Sequence, residues 1–349
     1  MSGRGRTARK GPPGGGRSSS SASGRGGRGG GRGGRGGRGG GRSATGSSAR
    51  ATGTRGSSGL SREARKESRR QAQAAAVQKK ADVEAEYFAS CQREAAAAAR
   101  RTPARPSSSY PTRSRDEAEL FGRMGAVGIK FSSYEKIDVE VKGPGAGTVP
   151  PLEGFSSLGD RLPPFLRKNV QRMHYERPTP IQRHAIPLAL DGRDLMCCAQ
   201  TGSGKTCAFL LPVAAALGGT MSGPGPIVVG RPAAPRCVVL APTRELAMQI
   251  AVEAEKLTFE SPLRSVVVYG GADQKKQVRD LAYGCDLVVA TPGRLNDFID
   301  RGIVSMSAVT FLVLDEAGEL RDEPIGWLFF LIRSIPLVLC MYHWWILGL

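Results

Sequence analysis

Ala199-Gln200-Thr201-Gly202-Ser203-Gly204-Lys205-Thr206 is the stretch of sequence that decides the fold. Apolar residues precede it at 195–198 and follow it at 207–211, so its glycines fall where a strand turns into a helix. Glycines there let the backbone curl and point successive N–H groups inward, toward a phosphate at the helix N-terminus. Lys205 then reaches the outer phosphates and Thr206 holds Mg²⁺. The stretch therefore predicts a P-loop.

Apolar runs alternate with helical patterns on both sides of this loop, from Phe155 onward. Unbroken apolar runs are typical of parallel strands whose sheet is covered on both faces, and the alternation is typical of βαβ units. The sequence therefore predicts an α/β domain with a parallel sheet. The predicted strands are 195–198, 237–240, 266–269, 287–290 and 311–314, and the predicted crossover helices are 204–217, 244–257, 275–283 and 294–301.

A polar or glycine-containing loop follows each predicted strand. The carboxyl ends of parallel strands lie at one edge of a sheet, where open α/β sheets bind ligands. The five loops should therefore converge on one site. In chain order they read AQTGSGKT, APTREL, GG, TPGR and DEAG.

Asp315 and Glu316 come directly after the last apolar run. In P-loop NTPases an Asp so placed holds Mg²⁺, partly through water, and a following Glu orients and deprotonates the attacking water. The alternative is a pair of solvated acids that the dipole of a helix start favours. Their position after a buried strand favours catalysis, with Lys205, Asp315 and Glu316 as the catalytic residues and Thr206 and Asp315 as the metal ligands.

Positive charge is concentrated in the first third of the chain. Residues 1–115 contain 26 Lys and Arg but 6 Asp and Glu, whereas residues 116–349 contain 24 and 25. Residues 1–59 have no acidic residue and few large apolar side chains, which predicts that this segment is disordered. Within it, residues 24–42 contain Arg-Gly-Gly repeats. A basic, flexible arm of this kind can bind an RNA backbone; the alternative is a soluble linker.

The next segment, residues 61–101, is rich in strong helix formers, which predicts an exposed helix. Prolines from Pro103 onward predict a linker after this helix.

The seven cysteines form no CxxC pair, and most lie in apolar runs. This pattern predicts a reducing compartment, cytoplasmic or nuclear, and no zinc site. No signal peptide opens the chain.

These strings resemble the motifs of the DEAD-box ATP-dependent RNA helicases from about residue 128 to 322. RDLMCCAQTGSGKT and the upstream GIKFSSYEKIDVEV look most like the Ded1/Vasa/DDX3 group. The resemblance implies a single RecA-like domain at 155–322, with a Q motif at 155–182 and an extension at 116–154 before it. It also implies that ATP and Mg²⁺ are the cofactors. The implied ATP-binding residues are Phe155, Tyr175, Arg177, Gln182 and the loop from Ala199 to Thr206, with Phe155 stacked on adenine and Gln182 on its edge.

The same resemblance implies that RNA is a partner at the sheet edge as well as at the basic arm; protein partners are unknown. Thr hydroxyls, glycine N–H groups and Arg are phosphate-binding groups, and backbone contacts carry little sequence preference. The implied RNA-binding residues are Pro242, Thr243, Arg244, Gly270, Gly271, Thr291, Pro292, Gly293 and Arg294.

Three departures from the family pattern affect the expected activity. Motif II reads Asp315-Glu316-Ala317-Gly318, where the family has a second Asp at the last position. The family's downstream Ser-Ala-Thr motif and second RecA-like domain are also not found. We therefore expect a truncated first domain that is poorly active alone. One alternative is an RNA-binding module that binds ATP without helicase activity. A further alternative is such a module tethered to a membrane by its tail.

Residues 325–349 are rich in Trp, Phe, Leu and Ile, and Arg333 is their one charge. Three interpretations remain open for this tail at 323–349: an ending produced by a frameshift or gene-model error, a membrane-spanning helix, or a buried helix. The length suits a span, whereas Arg333 and Pro336 within the segment count against one.

Overall fold

The structure is a computed structural model that describes residues 62–101, 117–122, 137–145, 147–175, 177–219, 227–322 and 337–342. The predicted disordered arm at 1–59 and the linker around Pro103 lie outside the described residues. So do residues 116, 123–136 and 146 of the predicted extension at 116–154. So do 323–336 and 343–349 of the tail.

Six parallel strands form one sheet in the order β1-β6-β5-β2-β4-β3. The α/β fold with a parallel sheet is thus confirmed, and the first, second, fourth and fifth strands have the predicted bounds. β3 begins one residue earlier than predicted. The strands are β1 (Leu195–Cys198), β2 (Cys237–Leu240), β3 (Ser265–Val268), β4 (Leu287–Ala290), β5 (Phe311–Leu314) and β6 (Leu337–Tyr342).

β6 corrects the interpretation of the apolar tail. Leu337–Tyr342 pair in parallel with β1 on one side and β5 on the other, so Leu339 stands opposite both Leu195 and Val313. Both helical interpretations are wrong for these residues, because a strand here closes the gap between β1 and β5 and joins all six strands in one sheet. Among the described residues, no helix is long and apolar enough to cross a membrane.

The crossover helices lie close to their predicted bounds. Two further helices, α3 and α4, precede the P-loop, and both begin with proline at the first helical position, where a missing N–H costs nothing. The helices after α1 are α2 (Glu117–Phe121), α3 (Pro164–Arg172), α4 (Pro180–Leu190), α5 (Lys205–Gly219), α6 (Arg244–Leu257), α7 (Gln274–Ala282) and α8 (Pro292–Asp300).

Successive residues of the central strands belong to different apolar clusters. Val239 and Val313 pack in the cluster that contains α5, whereas Val238 and Leu312 pack with α7 and α8. Alternate side chains of a strand point to opposite faces of a sheet. The sheet is therefore buried on both faces, as the unbroken apolar runs predict.

The first helix, α1 (Arg62–Arg101), is only partly exposed. Phe88, Cys91 and Ala95 are buried, and Phe88 and Cys91 pack in the same cluster as α7 and α8. The prediction of a wholly exposed helix is therefore wrong for the second half of α1. The physical reason is an apolar stripe at i, i+3, i+7, which buries one side of an otherwise charged helix.

A buried ion pair joins the amino ends of three strands. The Asp286 side chain is 1% exposed, and its Oδ1 accepts from Nη2 of Arg236 at 2.6 Å and from Nε at 3.0 Å. Its Oδ2 accepts from the backbone N–H of Arg264 at 2.8 Å. Asp286 thus connects the residue before β2, the residue before β3 and the start of β4.

Candidate nucleotide site and nucleic-acid groove

The loop between β1 and α5 has the backbone geometry that a P-loop requires. Gly202 and Gly204 have φ of +79° and +89°, in the left-handed region where glycine is tolerated. Lys205 is 8% exposed, and its Nζ donates a hydrogen bond to the carbonyl oxygen of Ala199 at 3.0 Å. The loop is therefore curled around its own lysine, with the lysine amine directed into the loop.

Gln182 is a structural partner of this loop. Its Nε2 donates to the carbonyl oxygen of Gly204 at 3.1 Å, and its Oε1 accepts from the backbone N–H of Thr179 at 3.0 Å. Gln182 therefore fixes the first turn of α4 against the start of α5. Sequence analysis missed Thr179, although Thr-x-x-Gln before an apolar helix is a capping-box pattern that predicts the Thr179–Gln182 contact.

The aromatic residues predicted near the adenine lie together. The rings of Phe155 and Tyr175 stack with centroids 5.4 Å apart and planes inclined by 28°. Phe155 is 6% exposed, and the hydroxyl of Tyr175 donates to Oε2 of Glu253 at 3.4 Å. Phe155 and Tyr175 thus form a packed platform, while Arg177 is exposed beside it.

Asp315 lies at the carboxyl end of β5 and is 3% exposed. Burial raises the pKa of its carboxyl group to about 6; the nearby Lys205 charge lowers the pKa, and Glu316 raises it. Oδ1 of Asp315 accepts from the backbone N–H of Glu316 at 3.1 Å. Glu316 itself has a φ of +51°, which is uncommon for a residue with a side chain and typical of functional sites.

These residues fit Mg²⁺-bound ATP. Oγ of Ser203 is buried in the loop and has no hydrogen-bond partner among the described residues, as expected of a group that awaits a ligand. Lys205 and Asp315 supply one cation and one carboxylate at the same edge, and Thr206 is half-buried at the start of α5. Thr206 and Asp315 would hold the metal ion, and the loop N–H groups would hold the phosphates.

The raised pKa of Asp315 has a measurable consequence for stability. A carboxyl with a pKa of 3.8 in the unfolded chain and about 6 in the folded chain keeps its proton more tightly when folded, so stability falls as pH rises through this window. In metal-free buffer the wild type should lose up to about 3 kcal/mol relative to Asp315→Asn between pH 4 and pH 7. Urea unfolding of both proteins across this range measures the difference. A constant difference would contradict the assigned burial.

A groove of about 790 Å³ runs along the neighbouring part of the same sheet edge. It brings together most of the predicted RNA-binding residues, which come from the loops after β2, β3 and β4. The guanidinium of Arg244 lies 5.0 Å from the ring centroid of Tyr269, and Nη1 of Arg294 lies 3.6 Å from Oδ2 of Asp297. The predicted residues that line the groove are Pro242, Arg244, Gly270, Thr291, Pro292, Gly293 and Arg294.

Two predicted RNA-binding residues have a different position. Thr243 caps α6 by accepting from the backbone N–H of Leu246 at 3.3 Å, and Gly271 turns the loop after β3 with a φ of +75°. Neither lies in the groove wall. Sequence analysis also missed the fourth side of the groove, which α1 supplies through Val77, Lys80, Ala81 and Glu84.

Comparisons with known proteins agree with the α/β fold. The DEAD/DEAH box helicase family model matches residues 179–337. The match extends to the start of β6, beyond the end at residue 322 that the sequence resemblance suggested. The domain therefore includes at least the beginning of the strand that lies between β1 and β5.

Individual relatives carry the same family name. The chain is 50% identical over 206 residues to DEAD-box ATP-dependent RNA helicase 52A of Oryza sativa subsp. japonica. The matched region covers 57% of this chain and 34% of the rice protein. The crystal structure of the yeast DEAD-box splicing factor Prp28 is 31% identical, with a TM-score of 0.50, over 62% of this chain and 51% of that one. The crystal structure of Prp28 from Chaetomium thermophilum bound to ADP is 37% identical, with a TM-score of 0.49, over 57% of this chain and 47% of that one.

This chain thus spans about a third of the rice relative and about half of the yeast structure. The yeast structure agrees with the α/β fold and its parallel sheet. Residues 179–337 of this chain therefore match the DEAD/DEAH box helicase family model, and the chain is similar over its α/β core to DEAD-box ATP-dependent RNA helicases.

Proposed function

We propose that this chain binds ATP with Mg²⁺ and single-stranded RNA at one sheet edge, as the first catalytic domain of an ATP-dependent RNA helicase. The observation that carries the proposal is the shared edge. The P-loop and Asp315 lie at the carboxyl ends of β1 and β5, and the groove lies at the carboxyl ends of β2, β3 and β4. The similarity to DEAD-box ATP-dependent RNA helicases supports the same function.

A ladder of backbone hydrogen bonds joins the two halves of this edge. The N–H of Asp315 donates to Leu240 O at 2.9 Å, that of Ala241 to Ala290 O at 2.9 Å, and that of Thr291 to Val268 O at 3.0 Å. A displacement of the carboxylate is therefore transmitted along consecutive strand ends to the groove. This ladder supports a coupling between nucleotide state and RNA binding.

The residues of the site divide the chemistry among them. The loop N–H groups and Lys205 stabilise the negative charge on the transferred phosphoryl group, and Glu316 takes a proton from the water that attacks it. The water oxygen forms the new bond to phosphorus as the bond to the leaving diphosphate oxygen breaks. Mg²⁺ would supply charge neutralisation on the phosphate oxygens when bound. Gln182 keeps the loop in place, and we propose that it also contacts the adenine.

A second function has one observation in its favour. Gly318 replaces the carboxylate that ends motif II in the family, so the turn after β5 lacks one acidic side chain. A domain that binds RNA and ATP but hydrolyses ATP slowly would fit this change. The basic segment 1–59 adds, in this proposal, sequence-independent RNA contacts, whose share is read from the salt dependence of RNA binding with and without it.

Phosphate release in the presence and absence of single-stranded RNA separates the two functions. We expect slow phosphate release by the wild type with little stimulation by RNA, and Lys205→Ala should abolish this release because the loop loses its cation. Nucleotide and RNA binding without phosphate release would favour the binding module. A wild type that binds no nucleotide would contradict both functions.

A further inference from the structure

The second half of α1 is fastened to the side of the helicase domain. Beyond the buried Phe88, Cys91 and Ala95, the Gln92 side chain accepts from Gly230 N at 2.8 Å and donates to Arg231 O at 2.7 Å. Oε2 of Glu84 lies 2.9 Å from Nε of Arg301, just after α8. The position of α1 relative to the groove is therefore fixed by apolar, hydrogen-bonded and ionic contacts.

One stripe of α1 continues from this attachment along the groove. Val77, Lys80, Ala81 and Glu84 follow one another at helical spacing, and all four line the groove opposite the strand-end loops. Val77 is 69% exposed, and Ala81 has a small side chain. The helix therefore stands beside the groove without filling it. The groove volume of about 790 Å³ is within the range of ligand-binding pockets, roughly 300–1,000 Å³.

The charges on the two walls suit an anion. Glu84 and Asp297 are both engaged by Arg301, with distances of 2.9 and 2.8 Å. Lys80 on the helix and Arg244 on the loop side have no carboxylate partner among the described residues. Each wall of the groove therefore presents a cation whose charge is not neutralised.

We propose that α1 is the second wall of the RNA groove and that Lys80 binds a phosphate of the same single strand that Arg244 and Arg294 bind. The proposal rests on the proposed function of the groove. Residues 62–70 contain five Lys or Arg and two Glu, so the helix is positively charged beyond the groove as well. A helix that covered the groove to block RNA would need contacts with the strand-end loops, whereas Val77, Lys80 and Ala81 are exposed.

Lys80→Ala tests the proposal against Lys79→Ala, because both lysines are exposed and only Lys80 lines the groove. RNA binding by the whole chain is measured by fluorescence anisotropy with a labelled oligouridylate at several salt concentrations. Loss of one phosphate contact to single-stranded RNA should lower the slope of log K against log salt by about 0.7 and the affinity about fivefold at 0.1 M salt. Lys79→Ala should leave both unchanged.

Other outcomes would overturn the proposal in distinguishable ways. If Lys80→Ala and Lys79→Ala change RNA affinity and its salt dependence equally, Lys80 makes no specific phosphate contact in the groove. Tighter RNA binding by Gln92→Ala, which removes the hydrogen bonds of α1 to Gly230 and Arg231 without changing a charge in the groove, would show that α1 blocks the groove. Arg294→Ala reports on the proposed function itself: if it weakens binding while Lys80→Ala does not, the groove binds RNA and only the role of α1 is wrong. If neither changes binding, the groove is not an RNA site.

Discussion

Gly204→Val is expected to lower the affinity for ATP at least about tenfold. Gly204 has a φ of +89°, and a Cβ on it would stand 2.4 Å from Nε2 of Gln182 and 3.2 Å from Oγ1 of Thr179. A β-branched residue at this φ adds strain of about 1–3 kcal/mol. The loop can relieve this strain by leaving the observed conformation, and ATP binding must then restore it. Since 1.4 kcal/mol corresponds to a tenfold change in affinity, restoring the conformation gives about this loss, and displacement of Gln182 adds to it.

A matched control separates loop damage from general loss of structure. Gly219 ends α5, and a Cβ on it would meet no atom within 4 Å, so Gly219→Val adds the same side chain outside the phosphate loop. Thermal unfolding of both variants shows whether each one is folded. A folded Gly204→Val protein that binds ATP as the wild type does would contradict the assigned loop geometry.

Arg236→Ala is expected to lower the free energy of unfolding by about 3–5 kcal/mol. The substitution leaves the carboxylate of Asp286 buried without its cation, and removal of one partner of a buried pair carries a cost of this size. Asp286 also holds the backbone N–H of Arg264, so the loss affects the ends of several strands together. Urea unfolding at neutral pH measures the change.

The control is a pair of the same kind at the surface. Arg167 and Asp160 form an ion pair at 3.0 Å, with both side chains well exposed, and such pairs contribute about 0–1 kcal/mol. Arg167→Ala should therefore change stability far less than Arg236→Ala. Similar effects of the two substitutions would show that Arg236 and Asp286 contribute no more than a surface pair.

The sequence predicts the sheet and the loop well, because both have strong local signals. The strands β2, β4 and β5 are short apolar runs bounded by glycine, proline or polar loops, which suits central parallel strands and little else. Glycine at positions 202 and 204 predicts that the backbone there has a positive φ. Once the strands are parallel, their polar loops must share an edge, so the contact of Lys205 with the Asp315 region follows from topology.

Long-range packing is where sequence analysis falls short. The tail around β6 has no alternation and is long enough for a helix; only pairing with β1 and β5 shows that Leu337–Tyr342 form a strand. Similarly, the charges of α1 indicate an exposed helix, whereas Phe88 and Cys91 pack in a cluster whose other buried members lie between Ala233 and Leu320. The family resemblance predicts a contact of Gln182 with adenine. It does not predict the hydrogen bond from Gln182 to Gly204 O, because this bond depends on how α4 packs against α5.

The most direct test of the central claim, that ATP binds at the loop from Ala199 to Thr206, is a calorimetric titration of Mg·ATP into the chain. The account predicts saturable binding of one nucleotide per chain for the wild type and for Gly219→Val, and binding at least about tenfold weaker for Gly204→Val. Equal affinities for all three proteins, or a wild type that takes up no ATP, would contradict it.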